Sequence, residues 1–258
     1  LDNHVKKNKI PIVFYPDTIN DNPFMFRNIC RMIFYYDGIL SGKTSLNSTQ
    51  DEGIMFFSKA IQERSSVKKC LYQDIVSFPV GKSNLLKHTD NANNKREDIY
   101  YYDGKYTRNL GGKIPKELSK FQKIDRGEKD SLKQSEIYEK LKKAKLLHVF
   151  EDTALTYEAL LLGCPVNIHP EGYFYKNKTL SHYEVNFSGS MSKNNPDEKD
   201  IEFARKEIGE FKKEYVNWCE YGENAIKQFS KNFIHHNHSF NQENIEKIQN
   251  NIKNTFRY

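Results

Sequence analysis

From Leu146 to Val166 the chain reads Leu-Leu-His-Val-Phe-Glu-Asp-Thr-Ala-Leu-Thr-Tyr-Glu-Ala-Leu-Leu-Leu-Gly-Cys-Pro-Val, and both ends of each element in it are marked. An apolar run of strand length ends at Phe150. Asp152 or Thr153 then offers a side-chain acceptor to the free N–H groups of a helix. Gly163 can adopt the left-handed conformation past the helix end, and Pro165 blocks continuation before the next strand. These signals make a tight strand-helix-strand unit.

The remaining sequence repeats the alternation. Short runs rich in β-branched and aromatic residues predict strands at 10–15, 54–57, 71–78, 99–102, 146–150 and 165–168. Helical patterns lie between them at 23–36, 58–63, 131–145 and 153–162, with Ser131 and Gln134 at capping-box spacing ahead of the third. Such alternation predicts an α/β fold with parallel sheets. Ile201, Ala204, Ile208, Phe211, Tyr215 and Trp218 recur at helical spacing and predict one long amphipathic helix from Asp200 to about Ser230. The polar stretch from Gly81 to Asp98 reads as a linker, and Ser188 to Lys199 as a polar loop.

Composition narrows the function classes. Forty Lys and Arg stand against 34 Asp and Glu for a net charge of +6, with both signs interspersed. No basic face is clustered as nucleic-acid binding requires, so no nucleic-acid partner is expected. Cys30, Cys70, Cys164 and Cys219 are far apart without a CxxC pair, which argues against a zinc site and a disulfide framework and favours a reducing, cytoplasmic setting. No apolar run approaches the roughly 20 residues that span a bilayer, and Leu1 to Lys9 lacks a signal-peptide core. The expectation is a soluble protein, at most peripheral to the inner face of the membrane.

Several tempting signals lead nowhere. Gly38-Ile-Leu-Ser-Gly-Lys-Thr44 has three residues between its glycines where a phosphate-binding loop needs four. His235-His-Asn-His238 has no carboxylate or cysteine nearby to complete a metal site. Cys164 follows a helix end, where no N-terminal dipole lowers a thiol pKa. His148 falls inside a buried strand and reads as core.

The 146–166 unit carries chemistry of its own. A helix starting at the carboxyl end of a parallel strand aims its free N–H groups and positive dipole end into the ligand crevice, where a diphosphate can sit. Thr153 and Ala154 are therefore the phosphate candidates. Glu158 rises about 7.5 Å further along the axis, roughly the step from a pyrophosphate to a ribose, whose hydroxyls it can accept. Glu151 closes the strand at the crevice mouth, placed to meet sugar hydroxyls or positive charge at an anomeric carbon. His169 and Glu171, after the next strand, are further contact candidates.

The pairing of Glu151 with Glu158, followed by Ala159 and the Gly163-Cys-Pro-Val turn, resembles the acidic pair and glycine-proline turn of GT-B glycosyltransferases. Many retaining members space the glutamates eight apart, whereas here the spacing is seven. Tyr100-Tyr-Tyr-Asp-Gly-Lys-Tyr106 is similar to the first strand and turn of a GT-B donor domain, where a lysine or arginine meets the leaving diphosphate; Lys105 and Arg108 match that role. Phe121-Gln-Lys-Ile-Asp-Arg126 resembles the second strand ending in an arginine. Phe14-Tyr-Pro-Asp-Thr-Ile-Asn-Asp-Asn-Pro23 and Arg31 to Gly38 resemble a pattern of bacterial polysaccharide glycosyltransferases.

The resemblance implies an α/β, GT-B-like fold: two Rossmann-like parallel-sheet domains, the first abbreviated, with a long C-terminal helix. Residues 1–90 would form the short acceptor-side domain, 97–200 the nucleotide-sugar-binding domain, and 201–258 C-terminal helices and tail. It implies transfer of a sugar from a nucleoside diphosphate to a glycan or lipid-linked glycan, in bacterial surface polysaccharide or lipopolysaccharide synthesis. Glu151 and Lys105 would be catalytic; Lys105, Arg108, Arg126, Thr153, Ala154 and Glu158 would bind the donor, with neither metal nor cofactor. Fixed cations and helix N–H groups can stabilise a leaving diphosphate by themselves. Asp17, Asp21 and Asp37 are the candidates for an acceptor base. Two alternatives stay open: a catalytically silent nucleotide-sugar or glycan-binding module of the same fold, and a sugar-nucleotide epimerase.

Overall fold

The computed structural model describes residues 12–19, 21–26, 28–34, 50–67, 69–79, 83–88, 95–126, 131–151, 153–169 and 188–236. Its strands are β1 (Val13–Pro16), β2 (Ile29–Ile33), β3 (Gly53–Phe56), β4 (Tyr72–Ile75), β5 (Asp98–Tyr102), β6 (Gln122–Lys123), β7 (Ala144–Val149), β8 (Val166–Ile168) and β9 (Ser190–Met191). The α-helices are α1 (Lys59–Arg64), α2 (Gly104–Leu110), α3 (Gln134–Lys143), α4 (Ala154–Leu161) and α5 (Glu198–His236). They form two sheets, in the orders β1-β2-β3-β4 and β6-β5-β7-β8-β9. Every pairing in both is parallel. The chain is thus an α/β protein with two Rossmann-like parallel sheets and a long helix towards its C-terminal end, as the sequence led one to expect.

Two compact units contain these sheets: Leu1–Phe78 with Glu220–Tyr258, and Pro79–Cys219. The first therefore takes back the end of the chain, and the division falls inside α5, whereas the sequence placed its boundaries near 90 and 200. In the first unit, Cys30, Met55 and Val76 pack with Phe229 and Phe233 of α5. A Cβ on Gly53 would come within 2.8 Å of both Cys30 Sγ and a ring carbon of Phe233, so the bare glycine lets the helix seat on β3.

The segment 23–36, predicted as a helix, instead supplies β2 in the interior of the first sheet, between β1 and β3. Arg31, within that segment, is buried. Its Nε lies 2.5 Å from Glu52 Oε2 and its Nη2 2.9 Å from Oε1, and the guanidinium also donates to the carbonyls of Ile19 and Asp21. A partner 21 residues away is invisible to local periodicity, and sheet context overrides the helical pattern.

In the second unit, the described parts of the expected linker 81–98, residues 83–88 and 95–98, are built into the fold. They hold a 3-10 turn at Ser83–Lys87 with Leu85 buried. Buried Arg96 donates to the carbonyls of Leu141 (2.8 Å), Ala144 (3.1 Å) and Leu162 (2.7 Å). One guanidinium thus donates to carbonyls at the ends of both α3 and α4. The expected polar loop 188–199 contributes β9, paired with β8. The predicted capping box of Ser131 and Gln134 is replaced: the Glu136 carboxylate accepts the Lys133 N–H at 2.7 Å, which leaves Gln134 for the site described below.

Helix α4 follows the sequence closely. Thr153 is its N-cap in extended conformation, with its hydroxyl 3.5 Å from the Leu155 N–H. At the other end Gly163 takes φ 80°, and the Cys164 N–H reaches the Ala159 carbonyl at 2.9 Å. All residues from Leu155 to Leu162 are buried. Tyr157 on this helix faces Trp218 of α5 with ring centroids 5.6 Å apart. Among the described residues no helix is long and apolar enough to cross a membrane.

Candidate functional site

In a parallel sheet all carboxyl ends share one edge, and ligands of open α/β sheets gather there. In the second unit that edge receives the turns after β5, β6, β7 and β8, which carry Lys105, Arg126, Glu151 with Thr153, and His169 respectively.

Glu151 stands two residues past β7 and is only 2% exposed. Its Oε2 accepts the Lys105 backbone N–H at 2.7 Å, and its Oε1 lies 3.7 Å from Lys105 Nζ. Gly104 makes this possible. It takes φ 46°, and a Cβ there would fall 2.3 Å from Glu151 Oε1. Burial raises the Glu151 carboxyl above its ordinary pKa of 4.5, against the opposing pull of Lys105 and Arg108. Arg108 is exposed and its Nε donates to the Gly104 carbonyl at 3.1 Å, so it braces the same turn. Burial also pushes the nearby Tyr102 phenol up to about 12, with the Glu151 charge adding to it.

A second cluster surrounds Glu158, which is also 2% exposed. Arg126 Nη1 reaches Oε2 at 3.0 Å and Nη2 reaches Oε1 at 3.4 Å. Gln134 Nε2 donates to Oε2 at 3.1 Å, and the Tyr138 hydroxyl donates to Oε1 at 3.0 Å. The Gln134 carbonyl meanwhile accepts from Arg126 Nη2 at 3.0 Å. Burial pushes the Tyr138 phenol up to about 12, and the Glu158 charge contributes, so it stays a donor at neutral pH. Arg126 and Glu158, expected to serve diphosphate and ribose separately, form one ion pair.

A third group was unforeseen as a unit. His148 Nδ1 lies 2.9 Å from His169 Nε2, and Asn167 Nδ2 lies 3.2 Å from that Nδ1. Asn167 is itself fixed to Lys193, through its Nδ2 to the carbonyl (2.8 Å) and its Oδ1 to the N–H (3.0 Å). His169 stacks on Phe150 at 4.2 Å, and Phe150 stacks in turn on Tyr106 at 5.3 Å. Burial, with His169 adding, lowers the His148 pKa to about 3, which keeps it neutral. The column reaches from the end of β8 to α2, the helix that begins beside Lys105.

Sequence reasoning missed Gln134 and Tyr138, although they stand four apart on one face of α3. It also missed Asp103, buried beside Lys105, whose carboxylate accepts from Thr107 Oγ1 (2.9 Å) and pairs with Lys123 Nζ (3.3 Å). Asp152, Glu171, Asp37, the Gly38–Thr44 segment and His238 lie outside the described residues. In the first unit the Asp17 carboxylate accepts the Phe34 N–H at 3.2 Å. Asp21 offers its backbone carbonyl to Arg31 at 3.3 Å. Among the described residues no group of three or more His, Cys, Asp and Glu is arranged to hold a metal ion.

No protein-family model matches the chain, and no curated protein matches it. Among solved structures it is similar to a mutant of the S. aureus glycosyltransferase TarM, in complex with fondaparinux, α-GlcNAc-glycerol and UDP. The identity is 12% and the TM-score 0.35, over 88% of this chain. The chain spans about half the length of that structure, 51%.

Proposed function

We propose that the chain is a glycosyltransferase of GT-B type that moves a sugar from a nucleoside diphosphate to a glycan or lipid-linked glycan acceptor. The observation that carries this reading is one turn: buried Glu151, held by the backbone and ammonium of Lys105, beside the Thr153-capped start of α4. As the glycosidic bond breaks, negative charge grows on the leaving diphosphate. Lys105 Nζ and the N–H groups at the Thr153-capped start of α4 are the donors proposed for that charge. Glu151 lies on the sugar side, where a carboxylate favours positive charge at the anomeric carbon. Arg108 adds a cation on the solvent side of α2. The reaction written this way needs no metal and no cofactor. The acceptor class follows the sequence resemblance to bacterial surface polysaccharide and lipopolysaccharide synthesis, with the protein working in the cytoplasm, at the inner face of the membrane.

A thermal-shift series with UDP, GDP, dTDP and CMP tests this. A ligand of the folded state at a hundred times its Kd stabilises it by about 2.7 kcal/mol, so one nucleotide should raise the Tm clearly above the others. A flat response across all four would remove the reading.

One observation favours a second reading, a silent nucleotide-sugar or glycan-binding module. The cations of the site meet carboxylates: Lys105 with Glu151, Arg126 with Glu158, Lys123 with Asp103. Nucleotide binding without donor hydrolysis or sugar transfer would decide for the module.

A further inference from the structure

The Glu158 cluster differs from what a ribose receptor needs. A carboxylate offers about four lone-pair directions, and four donors already occupy them. Tyr138 and Arg126 Nη2 bind Oε1, while Arg126 Nη1 and Gln134 bind Oε2. These donors come from α3 and from the turn after β6, so they hold the carboxylate from outside its own helix. A ribose hydroxyl could enter only by displacing one of them from a buried anion, which forfeits a charge-assisted bond. The exposures run the same way: the Glu158 side chain is 2% exposed and that of Arg126 25%.

We propose that the ligand-facing group of this cluster is the Arg126 guanidinium, and that Glu158 is a positioning residue that holds it for the diphosphate. The proposal rests on the donor-binding reading above and changes the role of Glu158 within it, from ribose contact to support of Arg126. Arg126 lies three residues past β6, next to β5, which leads into Lys105. A guanidinium has five N–H donors in a rigid plane. The bonds to Glu158 and Gln134 lock that plane, which lowers the entropy lost when a phosphate oxygen is bound. The Gln134 amide fits only this arrangement, with its carbonyl on the guanidinium and its amide nitrogen on the carboxylate. The Arg126–Glu158 pair carries no net charge, so it contributes direction; Lys105 and the start of α4 contribute the field.

Calorimetry on the full chain tests the reassignment, with UDP and GDP, their 2′,3′-dideoxy forms and the parent nucleosides as probes. Arg126→Ala and Glu158→Gln should each weaken the bound diphosphate on the order of tenfold to a hundredfold. The nucleoside should bind as before, and so should the ratio between the diphosphate and its dideoxy form stay as before. The double variant should be no weaker than Arg126→Ala alone, and Arg126→Lys should recover part of the preference for diphosphate over nucleoside. A Glu158→Gln chain that keeps that preference but no longer distinguishes ribose from dideoxyribose overturns the proposal. Should Glu158→Gln fail to melt cooperatively, Arg126→Ala decides: an intact preference for diphosphate overturns the proposal. Wild-type protein that binds neither diphosphate overturns the donor reading and this proposal together, whereas wild-type binding with the wrong variant pattern overturns this proposal alone.

Discussion

Two titratable residues three apart in sequence, His148 and Glu151, are both buried, and burial favours the neutral form of each. For His148 the folded pKa is about 3 against an ordinary 6.5. Between those values the unfolded chain binds the extra proton and the folded chain does not, so stability rises with pH through that window and is lost as pH falls. Glu151 works the other way: its folded pKa is raised, so its contribution weakens as pH climbs past 4.5. We predict that His148→Gln flattens the loss of stability between pH 6.5 and 3 relative to wild type, measured as urea midpoints across that range. A slope unchanged by the substitution would show that His148 is accessible to protons in the folded state. The chemistry near Glu151 gains from the same burial, since the Lys105 contacts that hold the carboxylate act where water is scarce.

Among the elements, the strand-helix-strand unit around α4 was legible in the sequence because its signals are local: a threonine cap, a left-handed glycine and a proline within one short stretch. Helix α5 was legible because its apolar spacing is sustained over many turns. What failed was whatever depends on distant partners. Residues 23–36 carry a helical spacing, and only the neighbouring strands β1 and β3 make them a strand. The linker reading of 81–98 fitted its composition, but Arg96 reaches residues 45 and 66 positions away. Glu151, Lys105, Glu158 and Arg126 are site candidates on the sequence alone, but the Arg126–Glu158 pairing was not legible there, because 32 residues separate the two. Arg96 yields the prediction at this scale. Arg96→Ala removes a buried donor from three interior carbonyls, so it should cost about 3 kcal/mol in urea denaturation. A loss below about 1 kcal/mol would mean that water replaces the guanidinium and that the ends of α3 and α4 do not depend on it.

At the scale of the molecule, one 39-residue helix belongs to both units. Its first part buries Ile201, Phe211, Tyr215 and Trp218 in the second unit, and its last turns bring Phe229 and Phe233 to the first. The two units therefore differ in what they need from the end of the chain. Ending the chain after Cys219 should unfold the first unit, whose core loses two phenylalanines that are each worth about 3–5 kcal/mol. The second unit should still melt cooperatively. Differential scanning calorimetry would show one transition in place of two, and survival of both transitions would count against the shared-core account.

The return of Phe229 and Phe233 to strands made near the start of the chain also sets an order of events on the ribosome. Strands β1 to β4 emerge first, but the side chains that cover Cys30, Met55 and Val76 come last. At roughly 5–20 residues per second of synthesis, the interval between Phe78 and Phe233 is on the order of ten seconds or more. During it the early strands present an apolar sheet face with unpaired edges, the kind of surface that chaperones hold and that aggregates recruit. The unit whose strands precede those of the other in the chain thus finishes folding after it, and its yield in a cell depends on how long that face is shielded.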